Sequence, residues 1–192
     1  MTGAPLPHVV LLDARRRGLE GAAALQGWAR ATAPPGAGHV SRSYSFPYAL
    51  VAWHDGPVGV DIERVAPCDA AFADAIRTPA ERAAGVPGGE ARDRAVTSLW
   101  CSKEALAKAL GDARRYDPRR LEGPPSWPGG QAGPWRAQSL VAPAGHVAWL
   151  CWRWRAAGTH ANGIPTGLAP GPTSPSIASP SSPRPSTTET TR

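Results

Sequence analysis

Cysteine is scarce in this sequence, and no apolar run approaches the length of a membrane-spanning helix. The three cysteines, Cys68, Cys101 and Cys151, are odd in number and form no CxxC pair, which argues against a disulfide framework and a zinc site. The apolar residues 8–12 are too few for a signal peptide and run directly into Asp13 and three arginines. We therefore expect a cytoplasmic protein with no membrane partner.

Acidic residues are outnumbered by basic ones, and lysine contributes little to the excess. The 192 residues include 21 Lys and Arg, nearly all of them arginine, against 15 Asp and Glu, so the formal net charge is +6. This surplus favours an anionic partner, such as a phosphorylated cofactor, an acidic protein or nucleic acid, but does not choose among them. Apolar residues make up 42% of the chain, which is enough for the core of one domain.

Large apolar residues nearly vanish after residue 157. Of the 35 residues from 158 to 192, 20 are Pro, Ser or Thr. Such a segment buries too little apolar surface to offset the entropy that is lost on ordering. We predict a folded domain over residues 1–157 and a disordered tail over residues 158–192.

The apolar pattern before residue 157 predicts a mixture of strands and helices. The predicted strands are 9–12, 48–53, 58–62 and 146–154, and the predicted helices are 19–31 and 90–110. Segments 48–53 and 58–62 flank a turn at 54–56, so we expect them to pair as a hairpin. Thr78, followed by proline and Glu81, predicts a further helix start with a capping box. This order of elements predicts an α+β fold with a largely antiparallel sheet.

Two carboxylates lie close together in the segment GVDIE at residues 59–63. In a strand, Asp61 and Glu63 point to the same face, while Ile62 points into the core. Two neighbouring negative charges repel unless a cation lies between them, and Mg²⁺ is commonly held by one or two carboxylates with water and phosphate. Taken alone, this short and common pattern favours an exposed strand end with both acids in solvent.

A second group of charged residues lies in the predicted helix 90–110, in the segment WCSKEALAK. Glu104 and Lys108 are one turn apart on the same helix face. Taken alone, they form an ordinary surface ion pair. Trp100, Trp149, Trp152 and Trp154 are expected to be packing residues rather than cofactor-stacking ones, because large aromatic side chains dominate small cores. Cys101 is expected to be a buried thiol rather than a nucleophile, since no histidine accompanies it.

Together, GVDIE and WxxKEAxxK resemble the signature of the 4'-phosphopantetheinyl transferase superfamily, in the W-KEA form of its Sfp-type branch. The segment 41–45 (SRSYS) resembles the SHS block of that branch, and the strand 146–154 resembles its final strand. The resemblance implies two similar α+β halves with largely antiparallel sheets and coenzyme A between them. It also implies an Mg²⁺-dependent enzyme that transfers phosphopantetheine to a serine of an acyl or peptidyl carrier protein and releases 3',5'-ADP.

The resemblance also implies roles for particular residues. Asp61, Glu63 and Glu104 would bind Mg²⁺. Glu63 or Glu104 would deprotonate the carrier serine, either directly or through a metal-bound water. Lys108 would lie close to the phosphates and stabilise or protonate the leaving group. Lys103 would be either a second cation for the cofactor or a structural lysine that faces solvent.

Two departures from the family pattern concern the binding of the cofactor. Tyr44 replaces the histidine of the SHS block and carries no positive charge, although Ser43 and Arg42 would compensate in part. Only 58 residues precede GVDIE, so we expect an abbreviated N-terminal half, with the arginines 15–17 as the nearest candidates for the 3'-phosphate. Weak binding of coenzyme A is therefore expected, unless a partner or a second copy completes the cleft.

Three functions follow from these observations. The first is an active transferase, whose basic surface would suit an acidic carrier protein. The second is a degenerate member of the family that binds carrier protein or nucleotide without catalysis, as the tyrosine at position 44 would suggest. The third, a nucleic-acid-binding domain, lacks any supporting motif, so we expect no nucleic-acid partner.

Overall fold

The computed structural model describes residues 6–154, except for the side chain of Glu90. The predicted tail at 158–192 lies outside the described residues. The strands are β1 His8–Asp13, β2 His39–Ser45, β3 Tyr48–His54, β4 Val58–Arg64, β5 Gln131–Ala132, β6 Trp135–Leu140 and β7 His146–Arg153. The helices are α1 Ala22–Thr32, α2 Ala70–Ala75, α3 Pro79–Ala83 and α4 Gly89–Leu110. Within the described part of the chain, no helix is both long and apolar enough to cross a membrane.

The strands form two antiparallel sheets. The first sheet has the order β1-β3-β2, and the second has the order β4-β7-β6-β5. Every strand pair in both sheets is antiparallel. The α+β fold class predicted from the sequence is therefore confirmed.

The predicted hairpin between segments 48–53 and 58–62 is wrong. Both edges of β3 are already occupied, by β1 on one side and β2 on the other. After the turn, β4 therefore passes to the second sheet and pairs with β7. The periodicity identified both strands correctly but carried no information on their partners.

The two sheets pack face to face, and each carries a helix on its outer face. Tyr48, Leu50 and Ala52 of β3 point into the layer between the sheets and meet apolar residues of β4 and β7. The intervening residues Ala49 and Val51 point the other way and pack with α1. On the outer face of the second sheet, apolar residues of α4 pack against β7 and the segment 121–135. The resulting order of layers is α1, first sheet, second sheet, α4.

Local capping signals place the helix ends close to the predictions. Thr78 and Glu81 form the predicted capping box of α3, and Gly111 ends α4 in the left-handed conformation, with φ 81°. Helix α1 begins at Ala22 rather than at residue 19, because Gly21 precedes it with a φ of 86°.

Gly59 allows β4 to lie directly against α4. A Cβ atom at this position would lie 1.9 Å from the carbonyl oxygen of Ala105 and 2.6 Å from the amide nitrogen of Ala109. Both of these are backbone atoms, so the helix cannot yield by rotating a side chain. The glycine of GVDIE therefore sets the distance between the strand that carries Asp61 and the helix that carries Glu104 and Lys108.

Candidate functional site

Serine side chains of β2 join the two sheets beside the acidic residues. The hydroxyl of Ser41 accepts a hydrogen bond from the amide of Val60 at 3.0 Å, and that of Ser43 accepts one from Ile62 at 3.2 Å. These two amides lie on the edge of β4 that does not pair with β7. The serines therefore replace a strand partner and hold β4 beside β2.

Asp61 is the most deeply buried acid of the site, with 2% of its surface exposed. Its Oδ1 atom accepts hydrogen bonds from the hydroxyl of Ser43 at 2.7 Å and from Nζ of Lys108 at 2.6 Å. Its Oδ2 atom is buried and has no hydrogen-bond partner among the described residues. A buried carboxylate oxygen without a partner is unfavourable, so this atom is suited to accept a further cation.

Lys108 reaches Asp61 from α4. Its ammonium group also donates to the backbone oxygen of Val60 at 3.2 Å, and 22% of its side chain remains exposed. The positive charge therefore lies at the junction of β4 and α4, where an anionic ligand can reach it.

Glu63 holds its proton much more tightly than an ordinary glutamate does. Burial raises its pKa from 4.5 to about 7, and repulsion from Asp61 and, to a smaller extent, Glu104 acts in the same direction. Lys108 and Trp100 lower the pKa only in part. Burial is therefore the main reason that Glu63 tends to keep its proton, and the negative charge of Asp61 adds to the effect.

Glu104 lies on α4 and shares this electrostatic environment. Burial raises its pKa, a hydrogen bond from Tyr116 lowers it, and the charge of Asp61 raises it. The phenol of Tyr116 donates that hydrogen bond to Oε1 of Glu104 at 2.6 Å. Tyr116 lies eight residues beyond the last motif position, Lys108, and the sequence contained no signal that pointed to it.

The three carboxylates fit a divalent cation by their chemistry, although they do not form a finished metal site. Within residues 6–154, no group of three or more His, Cys, Asp or Glu side chains is close enough together to hold a metal ion. Mg²⁺ often takes only one or two protein carboxylates and completes its shell with water and phosphate oxygens. A cation bound here would give the buried Oδ2 atom of Asp61 a partner. It would also reduce the charge repulsion that contributes to the raised pKa of Glu63.

One of the two alternatives for Lys103, a structural lysine that faces solvent, is wrong. Lys103 is fully buried, and its ammonium group donates to the backbone oxygens of Ile76 and Pro118 and to Glu81. Burial lowers its pKa, and the charge of Glu81 opposes this shift. These three acceptors use all three N–H donors of the group, so in this conformation none is left for a phosphate.

Arg42, like Lys103, forms its hydrogen bonds away from the acidic cluster. It lies on the opposite face of β2 from Ser43, and its guanidinium donates to the backbone oxygens of Ala29 and Arg30 at the end of α1. The neighbouring Tyr44 is 39% exposed. Of the three residues expected to bind the cofactor from β2, only Ser43 directly contacts the acidic cluster.

The arginines 15–17 lie in a 3₁₀ turn that precedes α1. Arg15 forms an ion pair with Asp13 and a hydrogen bond with Tyr48. The guanidinium of Arg17 lies 4.3 Å from the ring centre of Trp28. Arg16 also forms an ion pair with Asp13, at 4.0 Å. All three arginines therefore contact neighbouring side chains.

Trp100 packs against other aromatic rings and also borders the acidic cluster. Its ring lies 5.7 Å from that of Phe72 and 6.5 Å from that of Tyr116. Cys101, the next residue, is fully buried, as predicted, and burial raises the pKa of its thiol. Trp152 is buried in the layer between the sheets, as expected of a packing residue.

Comparison with known proteins identifies the region that contains these residues. The family model for the 4'-phosphopantetheinyl transferase superfamily matches residues 57–155, which is more than half of the chain. The match includes β4, α4 and β7, and therefore Asp61, Glu63 and Glu104. No curated protein matches the chain.

Proposed function

Because this chain belongs to the 4'-phosphopantetheinyl transferase superfamily, we propose that it transfers the phosphopantetheine arm of coenzyme A to a serine of an acyl or peptidyl carrier protein. The other product is 3',5'-ADP. The observation that carries this proposal is the convergence of four charged residues from two elements, β4 and α4. They are Asp61 and Glu63 on β4, and Glu104 and Lys108 on α4, and their charges influence the pKa of Glu63. We assign the chain to the Sfp-type branch on its W-KEA motif and on the serines of β2.

Asp61, Glu63 and Glu104 are the proposed ligands of Mg²⁺. When bound, the ion would supply positive charge next to the pyrophosphate of coenzyme A and neutralise negative charge that develops during transfer. Asp61 is anchored for this role by Ser43, which leaves its Oδ2 atom available. Glu63 and Glu104 approach from β4 and α4, whose spacing depends on Gly59.

The two glutamates are also the candidates for removing the proton of the carrier serine. Burial raises the pKa of both, so each is a stronger base than a carboxylate in water. As the serine oxygen forms its bond to the β-phosphorus, the proton passes to Glu63 or Glu104. The bond between the β-phosphorus and the leaving 3',5'-ADP oxygen breaks in the same displacement.

Lys108 is the proposed partner of the phosphates. Its ammonium group is partly exposed and contacts Asp61 at 2.6 Å, so an incoming pyrophosphate would meet a positive charge beside the acids. Ser43 and Tyr44 remain the proposed cofactor contacts from β2. For Arg42 and Lys103 the same role would require them to leave the backbone oxygens that they now bind.

A specific observation favours a second candidate function, a degenerate member of the family that binds its ligands without catalysis. Tyr44 occupies the position of the histidine of the SHS block and offers a phosphate no positive charge. The carboxylates and Lys108 nevertheless match the family motifs, which favours the active enzyme.

Mass spectrometry of an intact carrier protein tests the proposal. The full chain is incubated with coenzyme A, Mg²⁺ and several apo carrier proteins, and we expect one phosphopantetheine adduct on at least one of them. Glu104→Gln should reduce the rate by about 100-fold or more, because it removes a charge needed at the phosphate centre. Glu122→Gln, at an exposed position, is the matched control and should keep the rate. Absence of an adduct on every carrier would favour the degenerate function.

A further inference from the structure

Tyr116 contacts the acidic cluster from outside both sequence motifs. It lies in the segment between α4 and the 3₁₀ turn at Pro124–Ser126, and its hydroxyl donates to Oε1 of Glu104 at 2.6 Å. Tyr116 is half-buried, and its phenol is a hydrogen-bond donor at neutral pH. Neither of the two motifs includes this residue.

The segment around Tyr116 is tied to α4 at several points. The amide of Asp112 donates to the oxygen of Ala107 at 3.0 Å, and the amide of Tyr116 donates to Asp112 at 3.1 Å. Two residues further on, the oxygen of Pro118 accepts a hydrogen bond from the buried Lys103 at 2.9 Å. Leu121, which is 3% exposed, anchors the end of the segment in the core.

The ring of Tyr116 is held separately from its hydroxyl. It packs against Trp100 with the ring centres 6.5 Å apart and the planes inclined by 31°. This contact needs no oxygen atom, so a phenylalanine can occupy the same position. Loss of the hydroxyl can therefore be examined without loss of the ring packing.

The hydrogen bond from Tyr116 distinguishes the two carboxylate oxygens of Glu104, because it engages only one of them. Oε1 is engaged by the phenol, whereas Oε2 accepts no hydrogen bond in the described part of the chain. Mg²⁺ requires near-octahedral geometry with single oxygen ligands, whereas Ca²⁺ readily takes both oxygens of one carboxylate. A glutamate with one oxygen already engaged is better suited to Mg²⁺.

We propose that Tyr116 is a positioning residue for Glu104. Its hydrogen bond makes Glu104 a monodentate ligand and so favours Mg²⁺ over Ca²⁺. The inference rests on the proposed function in one respect, since it takes Glu104 as a metal ligand. It adds a source of metal selectivity that lies outside the motifs.

The test measures metal binding rather than transfer. Mn²⁺ is titrated into the full chain with coenzyme A present, free Mn²⁺ is followed by electron paramagnetic resonance, and Mg²⁺ or Ca²⁺ is added as competitor. In Tyr116→Phe, Mg²⁺ should compete about 10- to 100-fold less well, as is typical when a residue that orients a metal ligand is changed. Ca²⁺ should compete as well as before or better.

Tyr48→Phe is the matched control. Tyr48 is also buried, but its hydroxyl is bonded to Arg15 and not to a carboxylate of the cluster. Both competition curves should therefore follow those of the unchanged protein. In a Glu104→Gln background, Tyr116→Phe should produce no further loss, because Tyr116 acts through Glu104.

Three results would overturn the proposal, and they have different consequences. If Tyr116→Phe competes like the unchanged protein with both ions, the role of Tyr116 fails while the proposed function stands. If Ca²⁺ competes as well as Mg²⁺ in the unchanged protein, the proposed selectivity for Mg²⁺ is wrong. This result does not depend on whether the Tyr116→Phe variant folds. If the unchanged protein binds no Mn²⁺ with coenzyme A present, the metal site and the proposed function fail together.

Discussion

At the scale of single residues, the ionisation of Glu63 links the acidic cluster to stability. Its pKa in the folded protein, about 7, lies above the ordinary value of 4.5. Folding therefore favours the protonated form, and this contribution is fully present below pH 4.5 and is lost as the pH rises through about 7. The cause is burial together with the charge of Asp61.

Thermal unfolding in the presence of a chelator tests this linkage. Between pH 4.5 and about 7 the unchanged protein should lose stability relative to Glu63→Gln, which cannot ionise at this position. Glu122→Gln, at an exposed site, should follow the unchanged protein over the same range. If Glu63→Gln shows the same pH dependence as the unchanged protein, Glu63 is not the group responsible.

At the scale of elements, the contact between β4 and α4 depends on the absence of a side chain at Gly59. Gly59→Ala would place its Cβ atom 1.9 Å from the backbone oxygen of Ala105, so strand and helix must move apart. We expect the free energy of unfolding to fall by about 1–3 kcal/mol. Transfer activity should fall as well, because Asp61 moves away from Lys108.

The same substitution elsewhere in the chain provides a control of opposite sign. Gly27 lies inside α1, and a Cβ atom there would meet nothing within 4 Å. Gly27→Ala should therefore stabilise the protein by up to about 1 kcal/mol, because alanine is the better helix former. Chemical denaturation measures both variants, and equal effects would contradict a steric role for Gly59.

At the scale of the whole molecule, the residues of the acidic cluster lie together, whereas most of the candidate residues for binding coenzyme A are engaged elsewhere. Arg42 and Lys103 are engaged with backbone oxygens, Arg15 and Arg17 with neighbouring side chains, and Tyr44 is uncharged. We expect a single copy of the chain to bind coenzyme A weakly, with a dissociation constant in the micromolar range or above.

Calorimetric titration with coenzyme A and Mg²⁺ at several protein concentrations tests this prediction. Binding that tightens as the protein concentration rises would show that a second copy completes the cleft. Tight, Mg²⁺-dependent binding by a monomer would contradict the prediction.

Much of the fold was predictable because its signals are local. The capping box at Thr78 and the stop at Gly111 each depend on a few neighbouring residues, and both are confirmed. The pairing of β4 was not predictable in this way, because β4 could pair with β3 only if one edge of β3 were free. That depends on β1 and β2, which lie elsewhere in the sequence.

The sequence by itself determined the family and the residues that make up the acidic cluster. Its only two lysines, Lys103 and Lys108, both lie in the helix motif, and the structure separates them completely. One is buried against Glu81, and the other contacts Asp61 beside the acids. Helical spacing states which residues share a face, but only packing decides which face is covered. The role of Tyr116 likewise depends on tertiary structure, because its hydrogen bond to Glu104 exists only in the folded chain.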